Sequence, residues 1–274
     1  MHGALWSKAF GEARPLLLAL TALLFAFNWL FVWLTSLVEL GALGMFLGAL
    51  PGEFEALVGM PFSKVATPAG RIAVAYIDPV VIVAIVSWPI ARGSDVVSGE
   101  IGRGTMELLL AQPVRRSELL LTQAAVTTLG AAILASAAWL GTYAGLSTVK
   151  LDSVVPAADF VPGAVNLFAL AFFLAGTSTL MSSWDSYRWR TIGFMGAFYV
   201  LSLITKIVAR LAPGYEWLMY GSFLGAFEPQ AMAVAPQQAW EMSLRYDATL
   251  VGLGLAAYAA AAVVFSRRDL PAPL

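Results

Sequence analysis

Cysteine is missing from this chain, and histidine occurs once, at His2. Without cysteine there can be no disulfide, no thiolate metal site and no thiol nucleophile. A single histidine beside the N-terminus leaves a serine nucleophile without a basic partner and rules out an H-E-x-x-H zinc helix. The nine methionines, without Cys and with one His, do not make a copper path. No G-x-S-x-G elbow occurs, which argues against a serine hydrolase. No G-x-x-x-x-G-K-[ST] phosphate loop occurs either, so nucleotide hydrolysis would fall to another polypeptide. Charge is scarce as well. Asp, Glu, Lys and Arg make up 12% of the 274 residues, about half the share in soluble domains. The net charge of −1 offers no field for nucleic acid.

What fills the chain instead is apolar. Hydrophobic residues reach 59% and the mean hydropathy is +0.78, the composition of a membrane protein. A spanning helix needs roughly 20 mostly apolar residues, and six segments qualify: 15–38, 72–91, 117–146, 161–183, 191–211 and 248–266. The opening MHGALWSKAFGEARP lacks a small-residue cleavage site, and the run after it is too long for a signal peptide. Lys and Arg set the orientation. With both termini in the cytoplasm, the inner side holds Lys8, Arg14, Arg92, Arg103, Arg115, Arg116, Arg188, Arg190, Arg267 and Arg268. The outer side holds Lys64, Arg71, Lys150, Lys206, Arg210 and Arg245. Ten against six favours N-in/C-in. No internal repeat and no second soluble domain is visible, so residues 1–274 read as a single all-α transmembrane domain.

Four parts lie outside these spans. Residues 1–14 set Leu5, Trp6, Ala9, Phe10 and Ala13 against Lys8, Glu12 and Arg14, the pattern of a helix lying in the inner interface. The outer loop 39–71 is punctuated by Gly and Pro, and the outer loop 147–160 is short. Segment 212–247 is long, weakly polar and rich in aromatics, which points to short interfacial or re-entrant helices. Inside the spans a few residues stand out. Asp78 is part of a translocation surface, or a partner for Lys206 or Arg210, or the cap of a span that begins near Pro79. Lys206 and Arg210 sit near the outer end of the fifth span, where long stems reach water as anchors. Gly141-x-x-x-Gly145 and Gly44-x-x-x-Gly48 allow close helix approach, within the chain more readily than between copies. Trp184 to Arg190 (WDSYRWR) reads as an aromatic and positive anchor.

The region 94–116 between the second and third spans is too polar to be a mere turn. Asp95, Glu100 and Arg103 alternate with Val96, Val97 and Ile101, as if the second helix ran on into water. Gly102 and Gly104 interrupt it, because glycine is costly in a helix. Thr105 is placed as an N-cap, and Glu107 suits the positive end of the helix that follows. That helix, Met106 to Gln112, carries Leu108, Leu109 and Leu110 and is stopped by Pro113. Ser117 is placed to cap the third span, with Glu118 in its first turn. Three leucines in water would be an unprotected patch. The helix therefore either rests on lipid or meets a soluble partner.

The string SGEIGRGTMELLLAQPVRRSELLL resembles the signature of ABC-2 type ABC transporter permeases: Glu-x-x-x-Gly-Thr, a hydrophobic Leu-Leu stretch, then Pro-[Val/Ile]-x-Arg. The matching residues are Glu100, Gly104, Thr105, Glu107, Leu108, Leu109, Pro113, Val114 and Arg116. The short form is also similar to the permease of the nitrous-oxide-reductase maturation system. The resemblance implies a bacterial inner-membrane exporter subunit whose 94–116 region is a cytoplasmic coupling helix. Glu100, Gly104, Thr105, Met106, Glu107, Leu108, Leu109, Gln112 and Pro113 would then meet an ATPase subunit. It further implies two permeases, alike or sister chains, with two ATPase copies that hold the ATP and Mg. Membrane lipid, and in some relatives an extracytoplasmic partner, complete the set. No catalytic, cofactor or metal residue is expected in this chain. The rival readings are an ion-coupled secondary transporter, which would carry ionisable residues at mid-membrane, and an intramembrane enzyme.

Overall fold

The structure is a computed structural model that describes residues 3–37, 48–49, 51–112, 114–151 and 153–268. No strand occurs among the described residues. Six helices are long and apolar enough to cross a membrane: Gly3–Leu37, Pro68–Gly102, Arg116–Thr148, Ala157–Trp184, Arg188–Leu211 and Pro236–Arg267. They correspond one to one with the six hydropathic segments and are called the first to sixth spans below.

The fourth span is the hub. Pro162, Gly163, Ala164, Asn166, Leu167 and most residues on to Ser183 are buried, on every face of the helix. A helix that is apolar or small all round can sit inside a bundle. The sixth span packs along it, and the second and third close the other sides. The first span lies against the third through a stripe of Leu24, Asn28, Val32 and Thr35 spaced one turn apart. Gly141 and Gly145 make this possible. A Cβ on Gly141 would strike the Phe25 carbonyl and Asn28, and one on Gly145 would strike Val32. The small-residue pair thus serves packing within the chain. The other pair, Gly44 and Gly48, is only half visible, because Gly44 lies outside the described residues. Away from these contacts the first and fifth spans present Leu18, Trp29, Trp33, Phe194, Leu201 and Ile204 outward, as lipid-facing helices do.

Several expectations need correcting. Residues 3–14 form no separate interfacial helix; they are the first turns of one 35-residue helix, which Pro15 does not end. Ala9 and Ala13 are buried against the bundle, and that packing holds the helix through the proline. The second span begins at Pro68, whose helix Thr67 caps through a bond from the Gly70 amide (3.1 Å). It passes through a 3-10 turn, Ala75–Ile77, before the helix Pro79–Ser94. Asp78 caps that helix by accepting from the Val80 amide (2.9 Å), so the capping alternative describes it. The third span starts at Arg116, with Ser117 inside it. Its Glu118 instead accepts from the Arg115 amide at 3.4 Å. The sixth span starts at Pro236 rather than 248, since its buried stripe Ala239, Ser243, Asp247, Leu250, Gly254 keeps helical spacing through the polar stretch. Ahead of it come two 3-10 turns, Glu216–Gly221 and Phe223–Ala226, and the helix Pro229–Ala233. Phe223 leaves that segment and packs between Phe173 and Phe198.

Candidate functional site

The polar insert is mounted on the second span by a change of helical register. Asp95–Gly99 forms one π turn. Widening a helix this way leaves backbone amides without their usual acceptors, and the fourth span supplies the replacement. Ser182 Oγ accepts from the Val97 and Ser98 amides (3.1 and 2.9 Å) and donates to the Ser94 carbonyl (3.0 Å). The turn brings Asp95 and Glu100 to the end of the bundle where Arg188 begins the fifth span. Arg188 meets Asp95 at 3.3 Å and the Ala91 carbonyl at 3.2 Å.

The helix then ends at Gly102, and the chain reverses through Gly104 at φ +70°, a conformation glycine adopts without steric cost. The Gly104 amide bonds the Ile101 carbonyl and the Thr105 amide bonds the Glu100 carbonyl, each at 3.0 Å. This pair of bonds is a Schellman closure, which satisfies the carbonyls at a helix end. Thr105 stands at the N-cap position the sequence indicates, but its side chain makes no capping bond. Its backbone is helical and its hydroxyl donates instead to the Glu100 carboxylate.

Glu100 is the centre of this arrangement, with 1% of its surface exposed. Its carboxylate receives Lys8 of the first span, Thr105 of the insert and Arg103 (3.0 Å). Arg103 also bonds Asp95 at 2.7 Å, and those bonds push the guanidinium pKa above its ordinary value. Lys8 further reaches Glu12 at 3.4 Å, while Arg92 meets Gln123 at 2.6 Å and Glu12 at 4.0 Å. Ligand atoms of Glu12, Asp95 and Glu100 lie within 4.8 Å of one another, the spacing of a metal site. Four cations (Lys8, Arg92, Arg103, Arg188) already contact these three acids, so a metal ion would have to displace them.

The short helix itself is Met106–Leu110, shorter than the Met106–Gln112 expected. Of its three leucines only Leu108 is fully exposed, at 69%. Leu109 and Leu110 turn inward with Met106 onto a second apolar cluster built from Val96, Val97, Leu119, Leu120, Ala261 and Phe265. The cluster joins the second, third and sixth spans beneath the insert. Of the residues expected to face a partner, Gly104, Glu107, Leu108 and Gln112 are exposed. Glu100 and Met106 are buried and offer no surface; Thr105 and Leu109 are half-buried. Pro113 lies outside the described residues.

A second polar cluster lies near the other end of the fifth span. Lys206 is no snorkelling anchor: it is 8% exposed, and its ammonium meets Glu228 at 2.9 Å and the Phe227 carbonyl at 2.7 Å. Arg210 binds the same Glu228 oxygen. Asn166 of the fourth span ties this group to the sixth, accepting from the Glu228 amide (3.0 Å) and donating to Asp247 (2.6 Å). Lys206 therefore pairs with Glu228 and not with Asp78. Sequence reading missed Asn166, Glu228 and Asp247, although Ser202, Lys206 and Arg210 at four-residue spacing do mark a polar face on the fifth span. No protein-family model matches this chain, and no curated protein matches it.

Proposed function

We propose that this chain is the membrane-spanning subunit of an ATP-driven exporter of the ABC-2 type, lodged N-in/C-in in a bacterial cytoplasmic membrane. Two such permeases, identical or homologous, would work with two copies of a separate ATPase that supplies the ATP and Mg chemistry. The reading rests on one observation above others. Leu108 stands exposed beside Glu107 on a short helix whose remaining apolar side chains are seated in the bundle. An isolated exposed leucine is ordinary. One raised on a braced elbow, inside the Glu100–Arg116 motif, suits insertion into a groove on a soluble partner. ATP-driven closure of the partner would pull on the 105–112 segment and rock the spans to which it is tied.

Leu108→Asp tests the reading with least damage to the fold, since Leu109 and Leu110 pack internally. Co-purification with the ATPase should fall by about tenfold or more, the loss of one buried anchor of roughly 1.4 kcal/mol or above, while membrane insertion stays intact. Undiminished ATPase binding would remove the coupling role. A second reading has its own support: buried ionisable groups in spans, here Lys206, Asp247 and their partners, are also the mark of ion-coupled secondary transporters. Transport by the chain alone that collapses with the proton or sodium gradient and ignores ATP would favour it.

A further inference from the structure

We propose that the cleft between the fifth span, the helix Glu53–Val58 and the segment ahead of the sixth span binds the head of an anionic, hydroxyl-bearing phospholipid. Such a site belongs to the chain alone and does not depend on any ATPase. The cleft measures about 180 Å³. That is roughly six waters' worth at ~30 Å³ each, room for a head group while the tails stay in the bilayer. Leu57, Ile82, Leu203, Leu224 and Phe227 give it apolar walls, and Lys206, Arg210 and Gln230 give it polar groups.

The charges do not balance at that site. Lys206 and Arg210 share one Glu228 oxygen, and the other Glu228 oxygen takes Gln230 Nε2 at 2.7 Å. Among the described residues, two cations against one carboxylate leave an excess of one positive charge in this ion-paired group. Asp247 joins the network only through Asn166 and makes no ion pair among the described residues. Both cations are held in place, Lys206 by the Phe227 carbonyl (2.7 Å) and Arg210 by the Leu57 carbonyl (2.8 Å). A fixed, half-compensated cation pair beside apolar walls is costly until an anion joins it. The site has a second need. Gln230 is 1% exposed, and its Oε1 accepts no hydrogen bond among the described residues. A buried amide oxygen in that condition calls for a donor. A phosphate supplies the missing negative charge, and a hydroxyl beside it would meet Oε1 once the Gln230 amide turns toward the cleft. The open side of the fifth span at Leu203 and Ile204, both exposed, offers the tails a path to lipid.

Phosphatidylglycerol titrated onto the purified full chain in neutral detergent, read by native mass spectrometry, tests this. The chain should bind it in preference to phosphatidylcholine. Lys206→Gln should weaken binding about tenfold or more, as loss of a buried charge partner does. Glu228→Gln, which removes the competing carboxylate, should tighten it. Arg245→Gln, an exposed cation elsewhere, should change nothing, and millimolar inorganic phosphate should not displace the lipid. Equal affinity for phosphatidylcholine overturns the proposal, and this arm needs no variant to fold. It is overturned equally by Lys206→Gln and Glu228→Gln shifting binding the same way, by Arg245→Gln matching Lys206→Gln, or by full displacement with phosphate alone.

Discussion

A carboxylate as enclosed as Glu100 keeps its charge only through its partners, because water is no longer there to solvate it. Lys8, Arg103 and Thr105 take that place. The bonds tie the first span to the 100–105 stretch, 92 residues on from Lys8, so the residue fixes where the insert stands. Glu100→Gln keeps the shape and removes the charge. It should loosen the Lys8 and Arg103 ties and cost about 1–3 kcal/mol. Tryptic cleavage after Arg103 should be faster in this variant than in the parent. Unchanged cleavage in a folded Glu100→Gln variant would mean that the insert is held by its apolar seat alone. Leu108 belongs to the opposite class. Its removal should leave stability within about 0.5 kcal/mol, because it touches nothing the fold needs. Thermal unfolding of Leu108→Ala measures this, and a large loss would show that the exposed leucine has an internal role.

At the scale of elements, the π turn at Asp95–Gly99 depends on a side chain from another helix. Ser182→Ala removes the acceptor of two buried amides at once. A cost of about 1–3 kcal/mol follows for each unsatisfied group, read as a lowered unfolding midpoint; a neutral result would mean the turn relaxes to ordinary α-helix. The six spans were legible in sequence because a soluble fold seldom uses nearly uncharged apolar runs of about twenty residues. The Gly102–Gly104 break was legible through glycine's cost in helices. The hydroxyl of Thr105 was not. A threonine before a helix signals a cap, and only the buried Glu100 outcompetes that use. The early start of the sixth span was hidden for a different reason. Average hydropathy falls across Trp240 to Asp247, while the small and polar stripe Ala239, Ser243, Asp247 keeps helical spacing. Lys206 misled in the same way. Long cations near a span end usually reach water, and nothing local reveals that Glu228, on a separate segment, lies waiting for it. The insert was thus visible in outline, and the internal partners of both polar clusters were not, since pairs distant in sequence leave no periodic trace.

For the whole molecule, the missing cysteines become an asset. Any single cysteine introduced is the only thiol, so orientation can be mapped without first stripping the chain. The insert and the Glu216–Gly221 turn flank opposite ends of the fifth span, whose 24 residues measure roughly 36 Å at ~1.5 Å each. Leu108→Cys and Tyr220→Cys, both at exposed positions, should react with an impermeant maleimide from opposite faces of the membrane, Leu108→Cys from the cytoplasmic face if the N-in reading is right. Labelling of both from one side would contradict the six-span arrangement. The elbow beneath Leu108 has a mechanical consequence as well. It is fastened to the first span by Lys8, to the fifth through Asp95 and Arg188, to the fourth by Ser182, and by the apolar seat to the third and sixth. A load applied at its tip is therefore shared among several levers of different length. The first span is one unbroken helix of 35 residues, roughly 52 Å long, so a small tilt at its Lys8 end sweeps its far end through a wide arc.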